Sequence, residues 1–178
     1  MKKQFTLYLD MDGVLCDFDK AYSKLRTGAS DNKARFISAV IDHRIFANLA
    51  LMSDTKQLLN HVAKLQNVTI EILTSVSAKT PAQVAAAKEQ KTEWLHKHDI
   101  PYKVNFVDNA PDKAKYATKN SILIDDRTEC IKHFVTKGGH GILHKSAADS
   151  IRKLDSIVLM GLTEWILMEE VNDINTCR

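Results

Sequence analysis

Short apolar runs alternate with amphipathic stretches along most of this chain. Runs rich in β-branched and aliphatic residues predict strands at about residues 4–10, 68–73, 104–107, 121–124 and 141–143. Apolar residues that recur every three or four positions predict helices at about residues 54–66, 81–98, 128–137 and 149–171. Because strands alternate with helices, we expect an α/β fold with a mostly parallel sheet covered by helices on both faces.

Capping and breaking residues set the expected helix ends. Pro81 suits the first turn of a helix, Gly138 suits a helix end, and Asp149 is expected to cap the final helix. The final helix carries an apolar stripe that predicts docking on the sheet or, as the minority alternative, a dimer interface, so that a monomer or a homodimer is expected. The stripe comprises Leu154, Ile157, Val158, Leu162, Trp165 and Ile166.

The segment after the first strand interrupts the alternation, because it contains helical patterns and no strand pattern. Two short helices are expected within residues 17–45, split around residues 27–31, with Ser30 or Asp31 capping the second. We interpret this segment as a small helical cap over the strand ends. The predicted division of the chain is a core domain of residues 1–14 and 51–178 and a cap of residues 15–50.

Positive charge is concentrated in residues 20–44 of the predicted cap. Residues 20–44 contain two acidic residues, Asp31 and Asp42, against six basic residues, namely Lys20, Lys24, Arg26, Lys33, Arg35 and Arg44. A solvated helical surface explains this pattern, and a basic lid that attracts an anionic substrate is the functional alternative. Both interpretations stay open from the sequence.

Composition and targeting signals narrow the class of protein. The chain has 178 residues, 26% of them charged, and a net charge of +3, which does not by itself imply nucleic-acid binding. No apolar stretch approaches the ~20 residues of a membrane helix, and the first apolar run is too short for a signal peptide. The three cysteines are few and scattered, which predicts reduced thiols in the cytoplasm, with Cys16 as a buried structural thiol.

Two aspartates follow the first predicted strand directly. Asp10 and Asp12 lie at the edge where open α/β sheets place their ligands, and Gly13 allows the chain to turn there. Carboxylates in this position suit a hard divalent cation, or a nucleophile beside a second carboxyl group that acts as acid and base. A strand that simply ends in a polar turn is the alternative.

Three further groups are expected at the same edge of the sheet. Thr74 and Ser75 follow the second strand and offer hydroxyl and N–H groups to a phosphate. Lys113, or Lys115 two residues later, can hold a phosphoryl oxygen, and the adjacent acids Asp125 and Asp126 follow the fourth strand and suggest a metal shared with Asp10. Together these groups predict phosphoryl transfer with Mg²⁺.

The order of these four motifs resembles the haloacid dehalogenase-like (HAD) phosphohydrolase superfamily, with the 5′(3′)-deoxyribonucleotidase family the most similar. The resemblance covers nearly the whole chain and implies a three-layer α/β fold with a mostly parallel sheet and a small helical cap inserted after the first strand. The closer resemblance rests on residues 10–15, 46–49, 65–67, 72–75, 91–94, 113–117 and 120–127.

The resemblance also implies a role for each motif. Asp10 would be the nucleophile that forms an aspartyl-phosphate, and Asp12 would act as acid and then base. Mg²⁺ would be held by the Asp10 carboxylate, the Asp12 backbone carbonyl and Asp126, with Asp125 supporting the metal waters. Thr74, Ser75 and Lys113 would contact phosphate, where Lys113 is preferred over Lys115 for its Lys-x-x-Tyr-Ala context.

The substrate is the least determined part of the resemblance. Phe18 matches a position that stacks on the nucleobase, although a core phenylalanine explains it nearly as well, and Phe46 and Trp94 are expected to be packing residues. The cap looks short, and Val76 replaces the proline that often follows the Thr-Ser pair. Nucleoside monophosphates are the expected substrates; phosphorylated nucleic-acid ends, another small phosphometabolite, and a non-catalytic binding protein of this fold are the alternatives.

Overall fold

A five-stranded sheet forms the centre of the protein. The computed structural model describes residues 5–28, 31–77 and 80–176, with side chains described up to residue 161. All neighbouring strands pair in parallel, in the spatial order β3-β2-β1-β4-β5. The strands are β1 (Phe5–Leu9), β2 (Val68–Ser75), β3 (Lys103–Val107), β4 (Ser121–Asp125) and β5 (His140–Leu143). The predicted parallel α/β architecture is therefore confirmed.

Helices connect the strands and cover the sheet. The α-helices are α1 (Phe18–Lys24), α2 (Asn32–Ile41), α3 (Thr55–Val62), α4 (Pro81–Lys97), α5 (Thr128–Thr136) and α6 (Ala147–Thr176). Two 3-10 helices, Ile45–Asn48 and Ala110–Tyr116, lie before α3 and before β4. Across the described part of the chain, no helix combines the length and hydrophobicity that a bilayer span requires.

Side chains of β1 point alternately to the two faces of the sheet, where they join two separate apolar clusters. Leu7 and Leu9 point into the larger cluster, which includes Leu58 of α3 and Leu154 of α6. Tyr8 points to the opposite face, where the smaller cluster includes residues of α5 such as Phe134. Because side chains alternate in every β-strand, both faces of the sheet pack against helices, which gives the expected three layers of helices, sheet and helices.

Helices α1 and α2 follow β1 and precede α3 along the chain, as the sequence predicted. Asp31 caps α2, because its Oδ1 accepts the Ala34 N–H at 2.8 Å, whereas Ser30 lies outside the described residues. A hydrogen bond joins α2 to α4, because Gln90 Nε2 donates to the Val40 carbonyl at 2.7 Å. The division of the chain into core and cap stays a prediction.

The final helix begins earlier than the sequence predicted. Ser146, and not Asp149, caps it, because the Ser146 hydroxyl accepts the Asp149 N–H at 3.2 Å. Asp149 lies in the first turn and pairs with Arg152 and Lys153. The apolar residues at 154 and 158 are buried in the core, which confirms docking for this part of the stripe, while 162, 165 and 166 lie outside the described side chains.

The order of the strands creates a crevice at one edge of the sheet. The chain leaves β1 towards β2 on one side, while β4 pairs with β1 on the other side. Ligands of open α/β sheets bind at such a switch point, outside the carboxyl ends of the strands. Asp10 immediately follows β1, and Asp125 is the last residue of β4. Both predicted acidic motifs therefore meet in the crevice.

Candidate active site

A tight turn after β1 presents the first two aspartates. The Met11 carbonyl accepts three N–H groups, from the residues at 14, 15 and 16, and this closes the chain on itself directly after the strand. Gly13 has a φ of +79°, a left-handed conformation that favours glycine. The turn expected from the sequence is present, and it directs the Asp10 and Asp12 carboxylates to two different lysines.

Asp10 is buried at the floor of the site. Its Oδ1 accepts the Met11 N–H at 2.8 Å and lies 2.7 Å from the Lys113 Nζ. Burial raises the pKa of Asp10 to about 7, because a charged carboxylate loses its hydration there, and Lys113 offsets part of this rise. The negative charges of Asp125 and Asp12 raise this pKa further.

Lys113 joins the two acidic motifs. It lies in the 3-10 helix Ala110–Tyr116, and its Nζ contacts Asp125 Oδ2 at 2.6 Å as well as Asp10. Burial alone would lower the pKa of Lys113, but the two carboxylates raise it above its usual range. Lys115 instead is exposed over 73% of its side chain and pairs with Asp112 at 2.7 Å. Of the two lysines, only Lys113 lies in the site.

Three carboxylates converge beside Lys113. One oxygen each from Asp10, Asp125 and Asp126 lies within 4.8 Å of the others. Asp125 is fully buried, and its Oδ1 accepts the Arg127 N–H at 2.9 Å. Partial burial raises the pKa of Asp126 to about 6, and the negative charge of Asp125 raises it further. The Asp126 side chain lines the cavity.

The acidic trio fits a hard divalent cation. Carboxylate oxygens are the ligands that Mg²⁺ and Ca²⁺ prefer, and a cation would offset the burial and the charge of Asp125, which together raise the pKa of Asp10 and of Asp126. The turn leaves space for this arrangement only because residue 13 is glycine. A Cβ on Gly13 would lie 2.5 Å from Asp126 Cγ and closer still to its Oδ2.

Asp12 pairs with a lysine that the sequence did not single out for a role. Lys91 of α4 is fully buried, and its Nζ contacts Asp12 Oδ2 at 2.6 Å and Thr74 Oγ1 at 2.8 Å. Thr74 is itself fully buried, so its hydroxyl is engaged with Lys91, and its expected contact with phosphate stays a prediction. The Asp12 side chain remains 29% exposed and lines the cavity.

The cavity above the carboxylates has a volume of about 480 Å³. Asp10, Asp12, Lys113 and Asp126 line its floor, and Ser75 lines it on the β2 side. The wall includes Phe18 and further aromatic, polar and sulfur-containing residues that the sequence did not assign to the site. These residues are Asp17, Asp19, Phe36, Phe46, Met52, Ser77 and Arg127.

An aromatic stack forms one wall of the cavity. The rings of Phe18 and Phe46 are stacked with centroids 5.5 Å apart, and Tyr22 stacks on Phe18 at 5.3 Å. Phe46 is 2% exposed, which agrees with its expected packing role, yet it also lines the cavity. The expected packing role of Trp94 is confirmed, because it is fully buried.

The basic residues of the predicted cap have other neighbours. Arg35 donates to the Tyr22 carbonyl at 2.6 Å, and Arg44 pairs with Glu89 at 3.2 Å and with Glu93. Among the described residues that line the cavity, none belongs to the six basic residues of segment 20–44. This arrangement supports the solvated-surface interpretation of their charge.

Cys16 is the last residue of the acidic turn, and its thiol is inert. It is fully buried and free, and burial raises its pKa well above the ordinary value, with Asp12 adding to the rise. Its Sγ lies 3.5 Å from Asp12 Oδ1. A thiol that resists ionisation is a poor nucleophile, so the expected structural role of Cys16 is supported.

Comparison with solved structures identifies the fold. A HAD-like family hydrolase from Xanthomonas campestris superposes with a TM-score of 0.58 at 10% identity, covering 90% of this chain and 99% of that chain. A HAD-superfamily hydrolase from Ehrlichia chaffeensis gives 0.52 at 12% identity, with coverages of 89% and 99%. A hydrolase from Streptococcus pneumoniae gives 0.52 at 16% identity, with coverages of 86% and 99%.

These similarities define the class of fold. No known family profile matches the sequence, and no curated protein matches it either. Structural similarity at such low identity shows the fold alone. The protein has the HAD-like hydrolase fold, as the order of the four sequence motifs predicted.

Proposed function

We propose that this protein is a Mg²⁺-dependent phosphomonoesterase that works through an aspartyl-phosphate on Asp10. The observation that carries the proposal is the convergence of Asp10, Asp125 and Asp126 beside Lys113, where Asp10, Asp126 and Lys113 line the floor of a cavity of about 480 Å³. This arrangement combines a nucleophile, a cation site and a fixed positive charge, which are the groups that phosphoryl transfer needs.

In the first half of the proposed reaction, Asp10 attacks the phosphorus atom. Among the described residues, the Met11 N–H and the Lys113 Nζ both bind Oδ1, which leaves Oδ2 as the attacking atom. As the Asp10–phosphorus bond forms, the bond to the leaving oxygen breaks, and Asp12 donates a proton to that oxygen. The products are the free alcohol and the aspartyl-phosphate.

In the second half, Asp12 takes a proton from a water molecule whose oxygen attacks phosphorus. The bond to Asp10 breaks, and inorganic phosphate and the original carboxylate are released. Asp10 and Asp126 would hold Mg²⁺ with the Asp12 backbone carbonyl, and Asp125 would support its waters. When bound, Mg²⁺ neutralises charge on the phosphoryl oxygens. Lys113 and Ser75 would hold the same oxygens from the protein side.

Nucleoside monophosphates are the proposed substrates. Phe18, Phe36 and Phe46 line the same cavity as the carboxylates, and this apolar aromatic lining suits a nucleobase. Cavities of this size accommodate small-molecule ligands. The basic residues that motivated nucleic-acid ends as an alternative do not line the cavity, whereas Asp17 and Asp19 do. We also propose a cytoplasmic location, supported by the free thiols of Cys16 and Cys130.

A substrate panel tests this function. Phosphate release would be measured with Mg²⁺ from 5′- and 3′-nucleotides, phosphorylated oligonucleotides and sugar phosphates, with Asp10→Asn as the blank. We expect release from nucleoside monophosphates in preference to the other classes. Rapid release only from oligonucleotide ends or from sugar phosphates would contradict the proposed substrate, and release from no substrate would contradict the proposed activity.

Mg²⁺ should stabilise the protein more at about pH 8 than at about pH 5. The pKa of Asp10 rises from an ordinary 3.8 to about 7, and that of Asp126 rises to about 6. Between about pH 5 and about pH 8, the folded chain therefore binds more protons than the unfolded chain. The free energy of unfolding without metal therefore falls as the pH rises through this window. Mg²⁺ binds the ionised carboxylates and offsets the loss.

Thermal unfolding with Mg²⁺ or with a chelator, at both pH values, measures this difference. Asp126→Asn should lose most of the Mg²⁺-dependent rise in Tm, because it removes one charged ligand and keeps the shape. Asp42→Asn, at an exposed position on α2's C-terminal end, should keep the full rise. An equal rise in both variants would contradict the assigned cation site.

Lys113→Met should lower kcat by about 10²-fold or more, because a preorganised charge at the phosphoryl oxygens is lost. The same change should destabilise the fold by about 3 kcal/mol, since Asp10 and Asp125 lose their buried partner. Lys115→Met is the matched control at an exposed position and should change kcat by less than about twofold. Loss of turnover in Lys115→Met with normal turnover in Lys113→Met would reverse the assignment.

A further inference from the structure

Lys91 is a buried cation whose role the proposed reaction does not yet include. It lies on the inward face of α4, beside the buried Ala87, Trp94 and Leu95. Its Nζ lies 2.6 Å from Asp12 Oδ2, 2.8 Å from Thr74 Oγ1 and 4.5 Å from the centre of the Phe46 ring. The ammonium group is therefore surrounded by an acid, a hydroxyl and an aromatic face.

Burial of this side chain needs a compensating contact. Removing a lysine ammonium from water costs several kcal/mol of free energy, unless an oppositely charged partner with good geometry replaces the lost hydration. Asp12 supplies the opposite charge, and Phe46 supplies a cation–π contact. Lys91 is not one of the described residues that line the cavity. It therefore reaches the substrate region only through the residues it contacts.

The contact with Lys91 fixes the orientation of Asp12. Only Oδ2 is bound by the ammonium, and the second oxygen has the Cys16 thiol at 3.5 Å, a weak donor. A short charged hydrogen bond of this kind selects one rotamer of the aspartate. Asp12 thus keeps Oδ2 on Lys91 while its partly exposed side chain lines the cavity.

We propose that Lys91 is a positioning residue that holds Asp12 in the orientation from which it exchanges protons with the leaving group and with the attacking water. The inference rests on the proposed phosphomonoesterase function. Lys91 binds neither phosphate nor metal in this assignment. Thr74 is the second anchor of its ammonium, which links the end of β2 to the turn that carries Asp12.

This role predicts unequal effects on the two halves of the reaction. With 4-nitrophenyl phosphate, the leaving phenolate is stable without a proton, so attack by Asp10 needs little help from Asp12. Hydrolysis of the aspartyl-phosphate still needs Asp12 to take a proton from water. A loosely held Asp12 should therefore slow the second half far more than the first.

Rapid-quench kinetics with 4-nitrophenyl phosphate test the inference. Lys91→Met should lower the steady-state kcat by about 10²-fold and should release one equivalent of nitrophenolate per folded enzyme in a fast initial burst. Acid-quenched protein from this reaction should contain phosphorylated Asp10. Lys88→Met is the matched control, because Lys88 is an exposed lysine three residues earlier on α4, and its ammonium lies over the Phe106 ring, away from Asp12. It should behave as the wild type.

A double-variant comparison separates positioning from a general loss of structure. If Lys91 acts through Asp12, adding Lys91→Met to Asp12→Asn should change the rate of aspartyl-phosphate hydrolysis by less than about twofold. An additive loss would overturn the inference, and so would a Lys91→Met variant with wild-type kcat. If the methionine variant does not fold, Lys91→Gln should give the same burst with a smaller loss of kcat. A wild-type protein that releases no nitrophenolate would instead contradict the proposed function.

Discussion

Asp10→Asn should abolish phosphate release, with a loss of about 10⁴-fold or more in kcat. Asparagine has nearly the same shape, and its side-chain oxygen can still accept from the Met11 N–H and from Lys113. It lacks the carboxylate oxygen that would attack phosphorus, so no covalent intermediate forms. The measurement is kcat with the best substrate of the panel.

The fold should survive this substitution. Burial disfavours the charge of Asp10 and raises its pKa to about 7, so removing the charge at about pH 8 should leave the metal-free Tm unchanged or higher. Asp42→Asn, at an exposed position, is the matched control and should retain full turnover. More than a tenth of the wild-type activity in Asp10→Asn would exclude Asp10 as the nucleophile.

Gly13→Ala should disrupt the metal site and lower kcat by about 10²-fold or more, because Mg²⁺ would lose Asp126 as a ligand and would no longer neutralise the phosphoryl oxygens. The added Cβ would lie 2.5 Å from Asp126 Cγ, so the carboxylate must leave its position. The φ of +79° adds backbone strain, and we expect a stability loss of about 1–3 kcal/mol. Titration calorimetry with Mg²⁺, together with Tm, measures both effects.

Gly28→Ala is the control for this prediction. A Cβ at residue 28 meets no heavy atom within 4 Å, and Gly28 is not among the glycines with positive φ. This variant should bind Mg²⁺ and turn over substrate as the wild type does. If Gly13→Ala retained wild-type affinity for Mg²⁺, Asp126 would not be a ligand.

The sequence was most informative where local patterns decide the structure. The short apolar runs predicted all five described strands, because a buried parallel strand requires a nearly continuous run of apolar residues. The shared edge of a parallel sheet then explains how Asp10 and Asp125, distant in sequence, could be predicted to meet. Element ends were less certain, because Ser146 and Asp149 are both acceptable caps and only the folded chain selects between them.

Contacts between distant segments were harder to predict. The sequence pattern assigned no role to Lys91 beyond its place in the family-like segment 91–94, although it lies on the same face of α4 as Ala87, Trp94 and Leu95. A lysine within such an apolar stripe is a signal of a buried partner, but the sequence does not show that the partner is Asp12. Phe46 was predicted to pack, and its second role as a cavity wall depends on the fold around it.

Trapping the covalent intermediate is the most direct test of the proposed chemistry. Asp12→Asn should still form the aspartyl-phosphate with 4-nitrophenyl phosphate, because the leaving group needs no proton, and should hydrolyse it slowly. After an acid quench, peptide mass spectrometry should find phosphate on Asp10 in this variant, and none in Asp10→Asn. If the wild type released phosphate but Asp12→Asn carried no phosphate on Asp10, the proposed aspartyl-phosphate mechanism would be contradicted.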